Sequence, residues 1–384
     1  MTLRNRLCAI ILVPALVASA ACNDEDPVIT EPTPEPQLTI SYIGSENCGF
    51  CHTETFNEFR KSGHPYKLNK VENGTPPVYP FSEVPNPPAG VSWNDVTYVI
   101  GGFGWKARFI GNDGYIITQG GSNQYNLATG EWVDYHKDEL KPYDCGSCHT
   151  TGFRPEGNQD DLPGILGQWE FPGVQCEECH GPGSLHAESP QNVAMTIDTR
   201  AEACGSCHNR GGVNSDIPAS GGFIRHHEQF NEMASSPHVL LECITCHDPH
   251  TGVKNNDQEG AFAIRATCED CHSGARETLQ TSPLAASMQD LACEDCHMPF
   301  AGKSAIAVDT YVGDIRTHLW TINSDSLANQ FIQGGAFSSD FVTVEYACLG
   351  CHTDAEDTKE WASANALDVH GADFSSQRVK ARTF

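Results

Sequence analysis

Apolar and polar positions alternate in short runs between residues 91 and 135 of this 384-residue chain. Val91-Ser-Trp-Asn-Asp-Val-Thr-Tyr-Val-Ile100 reads as a strand and ends at Gly101-Gly102. Lys106-Ala-Arg-Phe-Ile110 and Tyr115-Ile-Ile-Thr118 flank Gly111-Asn-Asp-Gly114, a strong hairpin turn. Gln124-Tyr-Asn-Leu127 and Glu131-Trp-Val-Asp-Tyr135 flank Ala128-Thr-Gly130 in the same way. The pattern predicts a small antiparallel β module over 88–136, a structural insert or a docking element.

Helical periodicity is found only in short pieces. It predicts helices over Thr53–Ser62, with Phe56 and Phe59 on one side, and over Arg225–Met233. Further pieces are expected over Ala275–Gln280, Pro283–Gln289 and Asp357–Asp368. The rest of the chain lacks the period of helix or strand. Hydrophobic residues are 39%, while 35 Gly and 23 Pro break the backbone often. A polypeptide core built from this would be thin, so the fold needs apolar surface from another source.

The N-terminus reads as an export signal: Arg4 and Arg6, an apolar stretch from Leu7 to Val17, then Ala18-Ser-Ala-Ala21. The stretch is too short to span a bilayer. Cys22 follows, and with the acidic, proline-rich segment to Gln37 it suggests a lipidated end on a solvated tether. Ser19 stands where lipoprotein signals usually carry Leu, so cleavage by an ordinary signal peptidase after Ala20 is the alternative. The net charge of −27 argues against nucleic acid and anionic membranes as partners. It is consistent with a plain acidic surface, with steering of a basic partner, or with Ca2+ binding.

The cysteines change the picture. Sixteen of eighteen lie in eight C-x-x-C-H pentapeptides. The first four are Cys48, Cys51 and His52; Cys145, Cys148 and His149; Cys176, Cys179 and His180; and Cys204, Cys207 and His208. The last four are Cys243, Cys246 and His247; Cys268, Cys271 and His272; Cys293, Cys296 and His297; and Cys348, Cys351 and His352. The pattern reads as covalent c-type haem attachment. Two thiols three residues apart reach the two vinyl groups of one porphyrin, and the next imidazole binds its iron. Zinc sites need four ligands, and disulfides need pairs; neither requires His after every second cysteine. Eight haem c groups would supply the missing apolar surface. Motif starts are separated by 97, 31, 28, 39, 25, 25 and 55 residues, so six haems are crowded between Cys145 and His297.

The second ligand of each iron separates a carrier from a catalyst. Of 17 histidines, nine lie outside the motifs: His64, His136, His186, His226, His227, His238, His250, His318 and His370. Nine candidates for eight irons is close to bis-histidine ligation throughout. His186 follows a Gly-Pro-Gly turn that could send it to another haem, and His250, three residues past His247, would point to a neighbouring iron. Only one of the adjacent His226 and His227 is expected to ligate, and His136 is the weakest candidate. Met195, Met233 and Met288 remain lesser alternatives; Met298 adjoins His297 and cannot reach across its own haem.

At these residues the chain resembles the multihaem cytochromes of the superfamily of hydroxylamine oxidoreductase and its tetrahaem acceptor cytochrome. The resemblance rests on Ser45–Cys48 through Ser62-Gly-His64, Cys176 through His186, Cys243 through Pro249-His250, Cys296-His-Met-Pro299 and Asp314-Ile-Arg-Thr-His318. It covers roughly residues 42–375, and it implies that the non-motif histidines are distal ligands. The β segment in the long first interval is similar to that of cytochromes thought to polymerise into extracellular filaments. Related nitrite and tetrathionate reductases commonly carry Lys in the motif of the active haem; no C-x-x-C-K occurs here.

The expected fold is therefore mostly irregular and α, with short helices wrapped around an array of c-type haems plus the β module. The expected organisation is a signal at 1–21, a tether at 22–40, a first haem segment at 41–87, the β module at 88–136 and a seven-haem domain at 137–384. The expected function is electron transfer along mostly bis-His haems in respiratory or extracellular electron transfer, with redox proteins or extracellular acceptors as partners and no catalytic residue assigned. The alternative is an oxidoreductase acting on a small nitrogen or sulfur compound at one five-coordinate haem. The expected location is exported: periplasmic, held at the outer membrane through Cys22, or extracellular. A filament form would expose its terminal haems and ligate one iron with a His of the next subunit.

Overall fold

Two alternating runs meeting at a glycine turn fold as the sequence suggests. In a computed structural model describing residues 40–210, 216–254, 263–281, 288, 290–367 and 369–370, β2 is preceded by β1 (Leu68–Lys70) and spans Val96–Gly101. β3 is Lys106–Gly111, β4 Tyr115–Ile116, β5 Gln124–Asn126, β6 Glu131–Val133 and β7 Lys141–Pro142. The sheet runs β1-β2-β3-β4-β7, with β5 and β6 continuing from β3. It extends past 88–136 on both sides, and the strand expected from Val91 begins only at Val96 because Trp93–Asp95 form a 3-10 turn. Gly114, at φ +83°, closes the turn between β3 and β4; a Cβ there would meet Leu162 and the backbone of Gly164 and Ile165.

Alternation sends neighbouring side chains to opposite faces, and here both faces are covered. Tyr98, Ile100, Ile110 and Ile116 pack with Leu68, Tyr143, Ile165 and Trp169 on one side. Val96, Val99, Ala107 and Phe109 form the other side with Val71, covered by Trp93, Tyr125 and Trp132. This two-sided burial explains the continuous apolar run Tyr98-Val-Ile100.

Beyond the sheet, β8 (Thr150–Thr151) pairs with β9 (Phe171–Pro172). There follow β10 (Ile217–Ser220), β11 (Phe223–Arg225), β12 (Gly302–Lys303), β13 (Ile322–Asn323), β14 (Phe331–Ile332), β15 (Phe337–Ser338) and β16 (Val342–Thr343). Five of these make a second sheet, β12-β11-β10-β15-β14, with a parallel step between β11 and β12; β13 and β16 pair separately. This sheet has its own core of Ile217, Phe223, Ile224, Ala301, Leu319, Val342 and Tyr346. The sequence reading missed it, because strands of two to four residues leave no measurable alternation.

The described residues hold thirteen short helices, the longest nine residues (Ser273–Thr281). The helix after the first motif is Thr53–Phe59, shorter than expected. The helix expected from Arg225 is corrected: Arg225 ends β11, where it pairs with Lys303, and the helix is Gln229–Ala234. The last helix is Lys359–Ala366, capped by the Thr358 hydroxyl accepting from the Trp361 N–H. The Pro283–Gln289 expectation falls outside the described residues, Met288 apart. Among the described residues no helix is long and apolar enough to cross a membrane.

Candidate haem-binding sites

Each motif cysteine pair sits on or beside a single turn of helix. Backbone bonds from His52 to Cys48 (2.9 Å), His208 to Cys204 (2.9 Å), His247 to Cys243 (3.0 Å), His272 to Cys268 (2.8 Å) and His352 to Cys348 (3.0 Å) show this i to i−4 closure. In the first motif the Cys51 N–H also donates to the Cys48 carbonyl (3.2 Å). Positions three and four apart lie on one helical face. Both thiols and the imidazole of a motif are therefore presented together, as attachment to one porphyrin requires. The first cysteine of every motif is half-buried, whereas the second is exposed at Cys51, Cys179, Cys246, Cys271 and Cys351. The sequence alone does not distinguish the two thiols in this way: in these five motifs the first is seated in the fold and the second stands at its edge, whereas Cys148, Cys207 and Cys296 are half-buried like the first cysteines of their motifs.

Seven of the eight motif imidazoles face a second imidazole. Ring centroids are 6.2 Å apart for His52 and His186, 6.4 Å for His149 and His227, and 6.2 Å for His180 and His250. They are 6.4 Å apart for His208 and His64, 6.1 Å for His247 and His318, 6.0 Å for His272 and His238, and 6.0 Å for His297 and His370. An imidazole nitrogen binds a first-row metal at about 2.0 Å and lies about 1.1 Å from its ring centre, so two rings gripping one iron should stand about 6.2 Å apart. Direct ring stacking can bring centroids to about 4.5 Å. The spacing fits a metal between the rings.

The surroundings keep these rings ready to bind. Burial holds His64, His149 and His318 down to about 3 and His227 to about 2, so they are neutral and keep a lone pair at physiological pH. The ring Nδ1 of His186 donates to the Val193 carbonyl (2.7 Å), and that of His297 to the Trp320 carbonyl (2.8 Å). Such bonds fix the tautomer and leave Nε2 for the metal. The Trp320 indole stands 4.5 Å from the His238 ring and 5.4 Å from the His318 ring. One residue, held at φ +54°, thus touches axial candidates for the fifth, sixth and seventh motifs.

The partner rings come from unexpected places. His64 ends the segment after the first motif but faces the fourth; His186 follows the third motif but faces the first. His250 follows the fifth and faces the third. Gly181, at φ +75° directly after His180, permits the reversal that carries His186 back to His52. No local sequence signal could have assigned these pairs.

Two candidates are placed differently. His226 packs against His227 at 3.8 Å and faces no motif ring. His136 makes an edge contact with Tyr135 (4.4 Å) and bonds through Nδ1 to Glu139 (2.7 Å). The eighth motif imidazole, His352, has Trp361 beside it at 4.8 Å and Asp357 at 3.8 Å instead of a second imidazole. At 4.8 Å the indole is too near to lie beyond a porphyrin, so it flanks the imidazole on its own side.

The thiols order the motifs in space. Cys48 contacts Cys176, Cys148 contacts Cys207, Cys204 contacts Cys243, and Cys268 contacts Cys293. Cys179 is near Cys204, Cys246 near Cys271, and Cys296 near both Cys348 and Cys351. The motifs therefore follow one another as first, third, fourth, fifth, sixth, seventh and eighth, with the second beside the fourth. The Cys51 thiol is exposed, and it is Cys48 that contacts Cys176 of the third motif. Among the described residues no group of three or more His, Cys, Asp or Glu could hold a metal ion by themselves.

Eight C-x-x-C-H motifs thus lie on a fold similar to those of solved multihaem cytochromes. Residues 120–181 match the family described as cytochrome c554 and c-prime. The chain is 23% identical to the dissimilatory sulfite reductase MccA of Wolinella succinogenes over 78% of its own length and 57% of the relative's. It thus spans little more than half of that curated relative. Its fold is similar to that of the octahaem sulfite reductase MccA of Wolinella succinogenes, with TM-score 0.58 and 18% identity over 81% of this chain and 65% of that one. It is similar also to the outer cell wall cytochrome OcwA, with TM-score 0.56 and 20% identity over 88% and 89% of the two chains. An undecahaem cytochrome from the S-layer of Carboxydothermus ferrireducens gives TM-score 0.51 and 18% identity over 89% of this chain and 61% of that one.

Proposed function

We propose that this chain is an exported octahaem cytochrome that relays electrons along a line of mostly bis-His haems. The supporting observation is the set of seven imidazole pairs spaced 6.0–6.4 Å apart. Haem c, bound at the sixteen motif cysteines, would supply one-electron redox chemistry that the side chains lack. The protein's part would be to hold each pair of imidazoles face to face, which would keep small molecules off seven irons. The closeness of the thiols of successive motifs would bring their haems edge to edge. Partners would be redox proteins or extracellular acceptors, with Cys22 as the point of lipid anchoring and end-to-end assembly as a further form.

A second reading is favoured by one observation: His352 faces no second imidazole. A single iron open on one side could act on a small sulfur or nitrogen compound, as the sulfite reductase relative does on sulfite. Paramagnetic resonance of the oxidised holoprotein separates the two. The relay expects low-spin ferric signals from at least seven of eight haems and no turnover of sulfite or nitrite. Several high-spin haems would overturn it, as would rapid reduction of either anion.

A further inference from the structure

All 17 histidines lie within the described residues. Fourteen form the seven facing pairs. His352 remains as a motif imidazole without a partner, and His136 and His226 remain as partners without a motif. One chain is short of one ligand and carries two to spare.

His226 is half-buried and packs against His227, which itself faces His149. His136 is different. It lies in the corner after β6, and its side chain is 40% exposed. The corner is firmly built. The Asn123 side chain donates to the Tyr135 carbonyl (2.8 Å) and accepts from the Tyr135 N–H (2.7 Å). The Arg108 guanidinium lies 3.4 Å over the Tyr135 ring. The Glu139 N–H donates to the His136 carbonyl (2.9 Å). His136 itself sits at φ +46°, a costly conformation for a residue with a Cβ. Its Nδ1 is tied to the Glu139 carboxylate, the arrangement that fixes the tautomer and ring orientation of a metal-binding imidazole and leaves Nε2 for the metal. The strain and the carboxylate hold in solvent a ring prepared like an axial ligand.

Resting on the relay reading, we infer that His136 of one molecule binds the open side of the haem at Cys348–His352 of a second copy of this chain. His352 is itself 38% exposed, so both halves of the contact lie at the surface. The two halves lie on different elements, one after β6 and the other between β16 and the Lys359–Ala366 helix. The contact is heterologous: each molecule offers a ligand at one patch and accepts one at another, and such contacts close into rings or run on as filaments. In either form the last haem of one molecule is joined to the next molecule through its axial ligand, so the relay continues across the boundary.

The test uses the full holoprotein with eight haems verified by mass, and the variant His136→Asn, since Asn accepts positive φ and should fold. Light scattering and electron microscopy report assembly, and paramagnetic resonance counts high-spin iron. Wild type is expected to assemble with all eight irons low-spin, and to gain one high-spin iron per chain on dissociation. His136→Asn is expected to remain monomeric with one high-spin iron in eight; added imidazole should convert that iron to low-spin without restoring assembly. Glu139→Ala, which leaves the ring in place, should weaken assembly at least several-fold. Wild type that stays monomeric overturns the inference, whatever its spin state. So does a His136→Asn protein that assembles like wild type. Two or more high-spin irons in the wild-type monomer would instead count against the relay reading itself.

Discussion

Glu177, between the two cysteines of the third motif, offers a sharp test of what holds the first and third motifs together. It is 1% exposed. Its Oε1 accepts from the N–H groups of Ile43 (2.9 Å) and Gly183 (2.7 Å), and its Oε2 accepts from those of Ile43 (3.0 Å) and Gly44 (2.7 Å). One carboxylate thus ties the segment leading into Cys48 to the turn that sends His186 back to His52. Glu177→Gln keeps the shape but replaces one oxygen with a donor. That donor must meet the N–H of Gly44 or of Gly183. One charge-assisted bond is lost, worth about 2 kcal/mol, and one buried donor is orphaned at about 1–3 kcal/mol, giving about 3–5 kcal/mol in total. For a chain of this size that corresponds to a fall in Tm of about 4–6 °C. Thermal melting of the holoprotein measures the loss, and amide exchange should quicken at Gly44 and Gly183. A shift below about 1 kcal/mol with unchanged exchange at both glycines would refute the argument, because it would mean that neither donor depends on the charge.

Other outcomes follow from the same geometry. His318→Ala should convert one iron to high-spin, seen as one new ferric high-spin signal per molecule, while the other facing pairs are undisturbed. Trp320→Gly removes the indole between His238 and His318 but relieves the positive φ; it should alter the resonance signals and midpoint potentials of the fifth and sixth haems with little loss of Tm, since the two effects oppose one another. Lys106, pushed down to about 7 mainly by burial, binds fewer protons folded than unfolded between about pH 7 and 10.5. Stability should therefore rise with pH across that window, and Lys106→Met should flatten the rise in urea titrations at each pH. Chain produced without haem attachment should lack the fixed ring pairs and show no cooperative melt, because so much of its buried surface depends on the porphyrins.

The sequence made the local features plain and left the long-range ones hidden. The motifs are five-residue signals whose chemistry depends only on spacing, and the β3–β4 and β5–β6 hairpins are set by turns of two to four residues. The number of partner histidines was also within reach of counting. Which histidine faces which motif was not, because His64, His186 and His250 each pass over the nearest haem segment to meet another. The unequal exposure of Cys48 and Cys51 was equally out of reach, since it depends on how the rest of the fold packs around the motif. The β10–β11 sheet escaped for a similar reason: β12 joins it in parallel from some eighty residues further on. Helix reading failed at Arg225, where β-branched and aromatic neighbours in Phe223-Ile-Arg225 favour a strand once Lys303 is there to pair with it.

The crossing of partners also bears on how the protein is made and how it breaks. If each facing pair closes on an iron, the metals act as basting stitches that join distant parts of the backbone, as disulfides do in small secreted domains. The chain cannot be drawn tight until its histidines have been shared out among the right cofactors, so delivery of the porphyrins is also the last step of folding. A single cut in an exposed loop would then leave the fragments fastened together, and only loss of the metals would let them part.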